Sequence, residues 1–278
     1  MRIDVNNLSK IPVTVIIPVK NEEKNLPECL SRLKDFSEVI VVDSKSTDST
    51  SQIVKDFGFQ FVRFDWNGKF PKKRNWVLRN VEMRNEWVLF LDADEFVTKD
   101  FLEELRDKII SDEYSGFTIM YENYFMKKKL NYGDKMKKMP LFKVSSGEYE
   151  QIKEGSWSNL DMEIHEHPII SGKIGFIKSP IIHNDYKGLE HYIARHNAYS
   201  SWEANRYVSL NNTNYETLTS RQKLKYKLMK LGLLPIVYFV ATYFFKFGFL
   251  DGKEGFYFAK YKSQYFFQIK TKIIELQS

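Results

Sequence analysis

The chain has 278 residues, of which 43% are hydrophobic and 15% aromatic, which suits one large domain or a domain with an appendage. This composition excludes a disordered or fibrous protein, and the single cysteine, Cys29, excludes an internal disulfide. The net charge of +6 is compatible with nucleic acid, an anionic membrane surface or a phosphate-rich substrate, and it does not choose among them.

The first twenty residues hold only a short apolar stretch, which Pro12 and Pro18 interrupt. No small-residue cleavage site follows it, so this segment does not have the pattern of a secretion signal. We therefore expect the protein on the cytoplasmic side.

The first hundred residues alternate apolar runs of strand length with amphipathic helical patterns. The predicted strands are residues 13–19, 39–42, 59–64 and 87–91, and the predicted helices are residues 25–36, 49–57 and 101–110. Such alternation predicts βαβ units, and thus an α/β fold whose mainly parallel sheet is flanked by helices.

The rest of the chain is less regular. Residues 116–183 contain short apolar runs, a basic segment and a Gly/Ser loop, and a long helix is predicted over residues 189–209. An Asn/Thr-rich linker follows, so we predict one domain over residues 1–210, with two halves that meet after residue 115, and a helical tail over residues 211–278.

The tail is basic and strongly aromatic. The stretch LGLLPIVYFVATYFFKFGFL is nearly long enough to span a bilayer, but Pro235, Lys246 and Gly248 interrupt it. Interleaved lysines and aromatic residues favour docking in the interface of an anionic membrane over spanning it. Alternatively, these aromatic residues pack against the preceding domain. We expect part of the tail's apolar surface to contact the membrane and the rest to pack against that domain.

The strongest chemical signal is the segment LFLDADE. An apolar strand ends there in Asp92 and Asp94, where a parallel sheet presents its ligand site. Carboxylate oxygens at this spacing suit Mg²⁺ or Mn²⁺ bridging a diphosphate. A solvated acidic turn is the alternative interpretation of this motif alone. The polar clusters at residues 20–23 and 43–48 also follow predicted strands, so they are expected at the same edge of the sheet.

These motifs resemble those of the family 2 glycosyltransferases. PVKNEE, VVDSKSTD and LDADE follow the family's order, and KKRN resembles its Q-R-N element. The resemblance implies the GT-A fold, and it implies nucleotide-sugar contacts for Pro18, Asn21, Glu22, Asp43, Asp48, Lys73, Arg74, Asn75 and Asp92. Asp43 would hydrogen-bond the base or ribose, whereas Asp48 would lie near the ribose or cap the following helix. The resemblance also implies that, within the catalytic domain of residues 1–210, residues 1–115 form the nucleotide-sugar half and residues 116–210 the acceptor half.

A narrower resemblance covers nearly the whole chain. MEIHEHP, SPIIHNDYKGLEHYI and GFLDGKEGFYFAKYKSQYFF resemble the bacterial subgroup that adds glucose to the inner core of lipopolysaccharide or lipooligosaccharide. The likeness implies UDP-glucose as the donor and a peripheral location at the cytoplasmic face of the inner membrane. Two alternatives stay open: transfer to another lipid-linked or protein acceptor, and a catalytically silent membrane-surface scaffold.

Inverting transfer requires a base for the acceptor hydroxyl, and Glu166 is our first choice. Asp161 and Glu163 are the alternatives, because the chain lacks the Glu-Asp dipeptide of many family members. Asp92 and Asp94 are the expected metal ligands, and His183, after a short apolar run, is the expected third ligand.

Two other classes are disfavoured. A nucleic-acid binder would group its basic residues in a reading motif, whereas those of this chain are dispersed or belong to the tail. A nucleotidyltransferase would carry a glycine-rich loop after the first strand, and PVKNEEKNL has no glycine.

Overall fold

The computed structural model describes residues 10–152, 154, 157–158, 160–162, 166–210 and 218–278. Within these ranges the chain forms two compact units. The first contains the described residues of 1–123, 136–153 and 159–186, and the second those of 124–135, 154–158 and 187–278. Contacts thus assign residues 187–210 to the second unit, while the predicted boundary after Leu210 borders residues 211–217, which lie outside the described residues.

The first unit is built on a mixed sheet with flanking helices. Its strands are β1 (Ile11–Val19), β2 (Phe36–Asp43), β3 (Gln60–Arg63), β4 (Trp87–Phe90), β5 (Glu95–Phe96), β6 (Gly116–Phe125), β8 (Lys137–Lys143), β9 (Gly147–Tyr149), β10 (Pro168–Ile170) and β11 (Ile174–His183). Residues 124–125 at the end of β6 belong to the second unit, where they pair with β7 (Lys128–Lys129). Its helices are α1 (Leu26–Ser31), α2 (Thr50–Phe57), α3 (Lys73–Asn80) and α4 (Lys99–Ile109).

The strand order is β3-β2-β1-β4-β8-β6-β11-β5. The first four strands are parallel to one another, β8 is antiparallel to both β4 and β6, and β11 runs parallel to β6. This is the predicted α/β architecture with a mostly parallel central sheet. β9 and β10 form a separate antiparallel pair.

Both faces of the sheet are buried. On β1, Val15 and Ile17 belong to one hydrophobic cluster, whereas Ile16 between them belongs to the other. The first cluster includes Leu30 of α1, and the second includes Val77 of α3. This double burial explains why the strands are continuous apolar runs, the pattern of a sheet covered on both sides.

One predicted helix was too long. Helical periodicity suggested a helix through residue 36, but α1 ends at Ser31 and Phe36 begins β2. Phe36 is buried and pairs with Ile11 of β1, so burial in the sheet prevails over local periodicity.

The second unit is mainly helical. Its helices are α5 (Gly188–Ser209), α6 (Ser220–Lys230), α7 (Leu234–Val240) and α8 (Gly252–Gln277). A π-helical turn over Ala241–Phe245 and a 3-10 turn over Gly248–Asp251 connect α7 to α8. The structure thereby confirms that helices form the C-terminal part of the chain.

The test for membrane spans finds no single helix, within the described residues, that is long and apolar enough to cross a bilayer. Ser220–Lys230 and Leu234–Phe245 meet the length and composition criteria only as a pair, and they are bent by 116°.

Candidate active site

The parallel strands bring the predicted polar segments to one edge of the sheet. Val19 pairs with Asp43 at the ends of β1 and β2, and Ile16 pairs with Phe90 at the end of β4. The segments that follow these three strands therefore leave the sheet on the same side. This is the edge at which α/β sheets bind their ligands.

The loops after β1 and β2 hold each other through side-chain hydrogen bonds. Asn21, at φ +56°, donates its N–H to Ser46 Oγ at 2.8 Å, and its Oδ1 accepts from the Thr47 N–H at 2.8 Å. The Glu22 N–H donates to Thr50 Oγ1 at 2.9 Å. Asn21 and Glu22 thus shape the loop, while Pro18 lies buried within β1.

The two aspartates after β2 serve the same loop. Both oxygens of Asp43, which is buried, accept from the Ser46 N–H at 3.0 and 3.2 Å. Asp48 accepts from the N–H groups of Thr50 at 3.0 Å and Glu23 at 3.1 Å. Burial alone would raise the pKa of Asp48, but these hydrogen bonds lower it overall. Asp48 thus contacts Thr50, the first residue of α2, but the N-cap position itself is occupied by Ser49.

Two predicted donor-binding residues of α3 make different contacts: Lys73 lies beside an acidic side chain, whereas Asn75 binds backbone groups. Lys73 is buried, donates to the Val19 carbonyl at 3.1 Å and lies 3.4 Å from Asp161 Oδ2. Asn75 is fully buried, and both atoms of its amide bond the backbone of Tyr149 at 2.8 Å. The structure thus uses Asn75 to fasten β9 to α3.

Asp92 is bound by two cations. Arg74 Nη2 lies 2.7 Å from Asp92 Oδ1, and Lys138 Nζ lies 3.1 Å from Asp92 Oδ2. Lys138 also contacts Glu95 Oε1 at 2.5 Å, and the other oxygen of Glu95 accepts from the Asp92 N–H at 3.1 Å. Lys138 on β8 therefore bridges two carboxylates of the LDADE segment. We call Arg74, Asp92, Glu95 and Lys138 the charged cluster.

Charges within this cluster change the proton affinities of its members. Burial would raise the pKa of Asp92, but Lys138 and Arg74 lower it well below its usual range. Burial likewise would lower the pKa of Lys138, but Glu95 and Asp92 raise it. The pKa of Glu95 is raised, because burial and the neighbouring Asp92 outweigh the effect of Lys138. Asp92 and Lys138 are therefore charged at neutral pH.

Asp94 and His183 face each other beside this cluster. His183 Nε2 lies 3.5 Å from Asp94 Oδ2. Strand pairing sets this position, since His183 is opposite Glu95 in the β5–β11 ladder and the Asn184 N–H donates to the Asp94 carbonyl at 2.9 Å. The structure thus brings together two predicted ligands that are distant in the sequence.

The side chains present fit a divalent cation in part. Two ligand atoms that each lie about 2.1 Å from one ion are roughly 3 Å from each other, which is close to the Asp94–His183 separation. Carboxylate and imidazole groups are both suitable ligands for Mn²⁺. In the described part of the chain, no three acidic, histidine or cysteine side chains form a ready-made ligand set. Asp92 is instead held by Arg74 and Lys138.

Glu166 and Asp161, two of the three candidate bases, are each paired with a lysine. Glu166 Oε1 lies 3.0 Å from Lys72 Nζ, and the Glu166 side chain is only 2% exposed. Asp161, beside Lys73, is 24% exposed, and although burial would raise its pKa, Lys73 lowers it. Glu163 and His165 lie outside the described residues.

Three members of the site were missed by the sequence interpretation: Lys72, Glu95 and Lys138. Glu95 belongs to the quoted LDADE motif, and Lys72 to the quoted KKRN motif, so both had a signal. Lys138 belongs to the basic segment within residues 116–183, and nothing in that segment marks it as a partner of Asp92.

Three known proteins illustrate the similarity of this chain to others. It is 24% identical over 96% of its length, and 94% of the relative's, to the lipopolysaccharide core biosynthesis glycosyltransferase LpsC of Rhizobium meliloti. The S. aureus TarS 1–349 structure is 17% identical and covers 96% of this chain and 91% of its own, with a TM-score of 0.42. The glucosyl-3-phosphoglycerate synthase of Mycobacterium tuberculosis, solved with Mn²⁺, UDP and glucosyl-3-phosphoglycerate, is 22% identical over 41% of this chain and 43% of its own, with a TM-score of 0.31.

The family model described as "Glycosyl transferase family 2" matches residues 14–165, which is more than half of the chain. The matched region contains the LDADE segment and the polar loops after β1 and β2. The chain is a GT-A-fold enzyme that belongs to glycosyl transferase family 2.

Proposed function

We propose that this glycosyltransferase moves a hexose, with inversion, from a nucleotide diphosphate onto a glycan or glycolipid acceptor at the membrane surface. The observation that carries the proposal is the charged cluster beside Asp94 and His183, at the carboxyl ends of the parallel strands. The whole-length similarity to a protein named as a lipopolysaccharide core glycosyltransferase favours a lipopolysaccharide core acceptor. Glucose from UDP-glucose and the inner core are proposed from the resemblance of the sequence motifs to the inner-core subgroup.

Charge balance within the site favours a metal-dependent reaction. Asp92, Asp94 and Glu95 carry three formal negative charges, and Arg74 and Lys138 carry two positive ones, which leaves one net negative charge. A diphosphate is repelled by such a site. A bound Mg²⁺ or Mn²⁺ would reverse the net charge and stabilise the departing diphosphate.

We propose that Asp94 and His183 are the primary ligands for that ion. Asp92 is the third predicted ligand, and its carboxylate reaches an ion only by exchanging its contact with Arg74 or Lys138. The two cations would then be available to the phosphate oxygens of the donor. Arg74 and Lys138 thus hold Asp92 in place before the donor binds and contact the donor afterwards.

Glu166 is the proposed base, with Asp161 as the alternative. The acceptor oxygen forms a bond to the anomeric carbon as the bond from that carbon to the phosphate oxygen breaks, and the acceptor proton moves to the carboxylate. The ammonium of Lys72 at 3.0 Å favours the ionised form that a base requires. Because Glu166 is buried, the acceptor must reach it by displacing part of its present surroundings.

The loops after β1 and β2 are the proposed nucleotide site. Asp43 has lone pairs beyond those that Ser46 occupies, and these suit N–H and O–H donors of a base or ribose. Peripheral association with the cytoplasmic face of an anionic inner membrane is part of the same proposal, because a glycolipid acceptor resides there.

A donor screen tests this function. Purified protein is incubated with UDP-, GDP- and CMP-sugars and with a lipopolysaccharide-core extract, a lipid-linked acceptor or a protein acceptor, with Mn²⁺ or with EDTA. We expect transfer of glucose from UDP-glucose to the core extract, and its loss in EDTA. Transfer that survives EDTA would contradict metal dependence, and transfer to another acceptor would revise the proposed acceptor. If none of the donors supports transfer, the result would favour a catalytically silent scaffold.

A further inference from the structure

An aromatic surface on the second unit is not needed for the proposed chemistry. Large apolar side chains are exposed around the turns between α7 and α8, and Phe245 and Phe247 are 78% and 55% exposed. The other exposed members are Ile236, Val237, Phe244, Phe249, Leu250, Phe256 and Tyr257. We call these nine residues the aromatic patch.

Ring contacts show that much of the patch is continuous. Tyr243 contacts Phe244, Phe249 and Phe256, with centroids 5.1, 6.3 and 5.6 Å apart. Phe249 extends the series to Phe247 at 6.2 Å, and Phe256 extends it to Tyr257 at 5.5 Å. Five exposed rings are thus linked directly or through Tyr243, whereas monomeric soluble proteins usually scatter such residues singly.

Close backbone packing fixes the turn that presents these rings. A Cβ on Gly255 would lie 2.1 Å from the Gly248 carbonyl oxygen, so α8 approaches the 3-10 turn more closely than any side chain allows. Asp251 accepts the N–H groups of Asn131 at 3.0 Å and Tyr132 at 2.9 Å. The exposed rings are therefore held by a packed turn, which reduces the entropy lost when they bind a surface.

Lysines share the exposed face of α8 with the rings. Lys253, Phe256, Tyr257 and Lys260 follow the spacing that places residues on one side of a helix, and all four are exposed. Lys253 has a side chain that is 76% exposed. This arrangement lets the rings enter an apolar layer while the ammonium groups stay at its polar boundary.

We propose that the aromatic patch is the element that inserts into an anionic lipid surface, with Lys253 and Lys260 contacting lipid phosphates. This inference rests on the membrane association in the proposed function and assigns it to a surface. Alternating aromatic and cationic side chains match the interfacial region of a bilayer, where apolar and charged layers adjoin. Phe245 and Phe247 are the two most exposed rings of the patch, and they enter the lipid.

Vesicle flotation tests the assignment. The full chain is mixed with vesicles of phosphatidylglycerol and phosphatidylethanolamine, or of phosphatidylcholine alone, at low and high salt. For the double variant Phe245→Ser/Phe247→Ser we expect at least a roughly tenfold fall in partitioning to anionic vesicles, because two rings no longer leave water. Lys253→Glu/Lys260→Glu should weaken binding to anionic vesicles at low salt and leave phosphatidylcholine binding unchanged.

Ile169→Ser is the matched control, since Ile169 is 67% exposed but belongs to the first unit, and it should bind vesicles as the unchanged protein does. Equal partitioning of the control and the double phenylalanine variant would overturn the assignment. The assignment would also be overturned if sedimentation velocity showed that the unchanged protein is a dimer without lipid and that the double phenylalanine variant is a monomer. Turnover on a soluble acceptor fragment is measured in parallel: its retention in the double variant separates failure of the lipid surface from failure of the glycosyltransferase proposal.

Discussion

The two units of this protein place different kinds of groups at their proposed functional surfaces. The first pairs buried or partly buried charges, as in the Lys72–Glu166 pair and in the contacts of Asp92 with Arg74 and Lys138. The second leaves Phe245 and its neighbours in contact with water. Buried pairs of this kind add little net stability, and exposed rings add none. Both arrangements therefore point to function, the first to chemistry and the second to location.

If this division is correct, changes in one unit should alter one property and leave the other intact. Substitutions in the charged cluster or at Glu166 should change turnover and ligand binding without changing vesicle partitioning. The double phenylalanine variant should do the reverse when the acceptor is soluble. The following predictions sharpen the chemical half of the comparison.

The largest effect is expected for Glu166→Gln. This change keeps the size of the side chain but removes the base, so kcat should fall about 10²- to 10⁴-fold while UDP affinity is retained. Steady-state kinetics with a soluble acceptor and calorimetric UDP binding measure the two quantities. Vesicle partitioning should not change.

Asp161→Asn is the matched comparison for that experiment, because Asp161 is also a carboxylate paired with a lysine. We expect a smaller loss of kcat for it. A normal rate for Glu166→Gln together with a large loss for Asp161→Asn would reassign the base. A thermal melt of each variant checks that loss of activity does not arise from unfolding, since each change leaves a buried lysine without its anion.

A smaller and two-sided effect is expected for Lys138→Met. Removal of this cation makes the formal charge of the cluster one unit more negative, so Mn²⁺ should bind more tightly and UDP in the absence of metal more weakly. We expect each constant to change by about tenfold, equivalent to about 1.4 kcal/mol. Isothermal titration calorimetry measures both. Lys137→Met is the control, since Lys137 lies over the Phe176 ring, and equal behaviour of the two variants would contradict the role of Lys138.

The sequence predicted much of the first unit because its signals are local. Continuous apolar runs identified the four parallel strands. Because the carboxyl ends of parallel strands share one edge of the sheet, their order also predicted that Asp43 and Asp92 lie at the same edge. Asp48 was expected beside the start of α2, and its side chain accepts the N–H of Thr50, although Ser49 is the N-cap residue. The α5 helix, predicted over residues 189–209, spans Gly188–Ser209.

The missed residues depend on contacts that are remote along the chain. Lys138 is 46 residues from Asp92 and 43 from Glu95, and Lys72 is 94 residues from Glu166. No local pattern encodes such pairs, because they arise from the position of β8 beside β4 and from the contact of Glu166 with the residue that precedes α3. Asn75 shows the converse: its motif suggested a donor contact, yet its amide bonds the Tyr149 backbone.

The central claim is that Asp94 and His183 hold a divalent cation that receives the nucleotide diphosphate. Electron paramagnetic resonance of Mn²⁺ titrated into the protein, with and without UDP, measures this directly. We predict that UDP tightens Mn²⁺ binding in the unchanged protein, and that Asp94→Asn and His183→Ala each weaken it at least about tenfold. Mn²⁺ affinities in both variants equal to that of the unchanged protein would contradict the account.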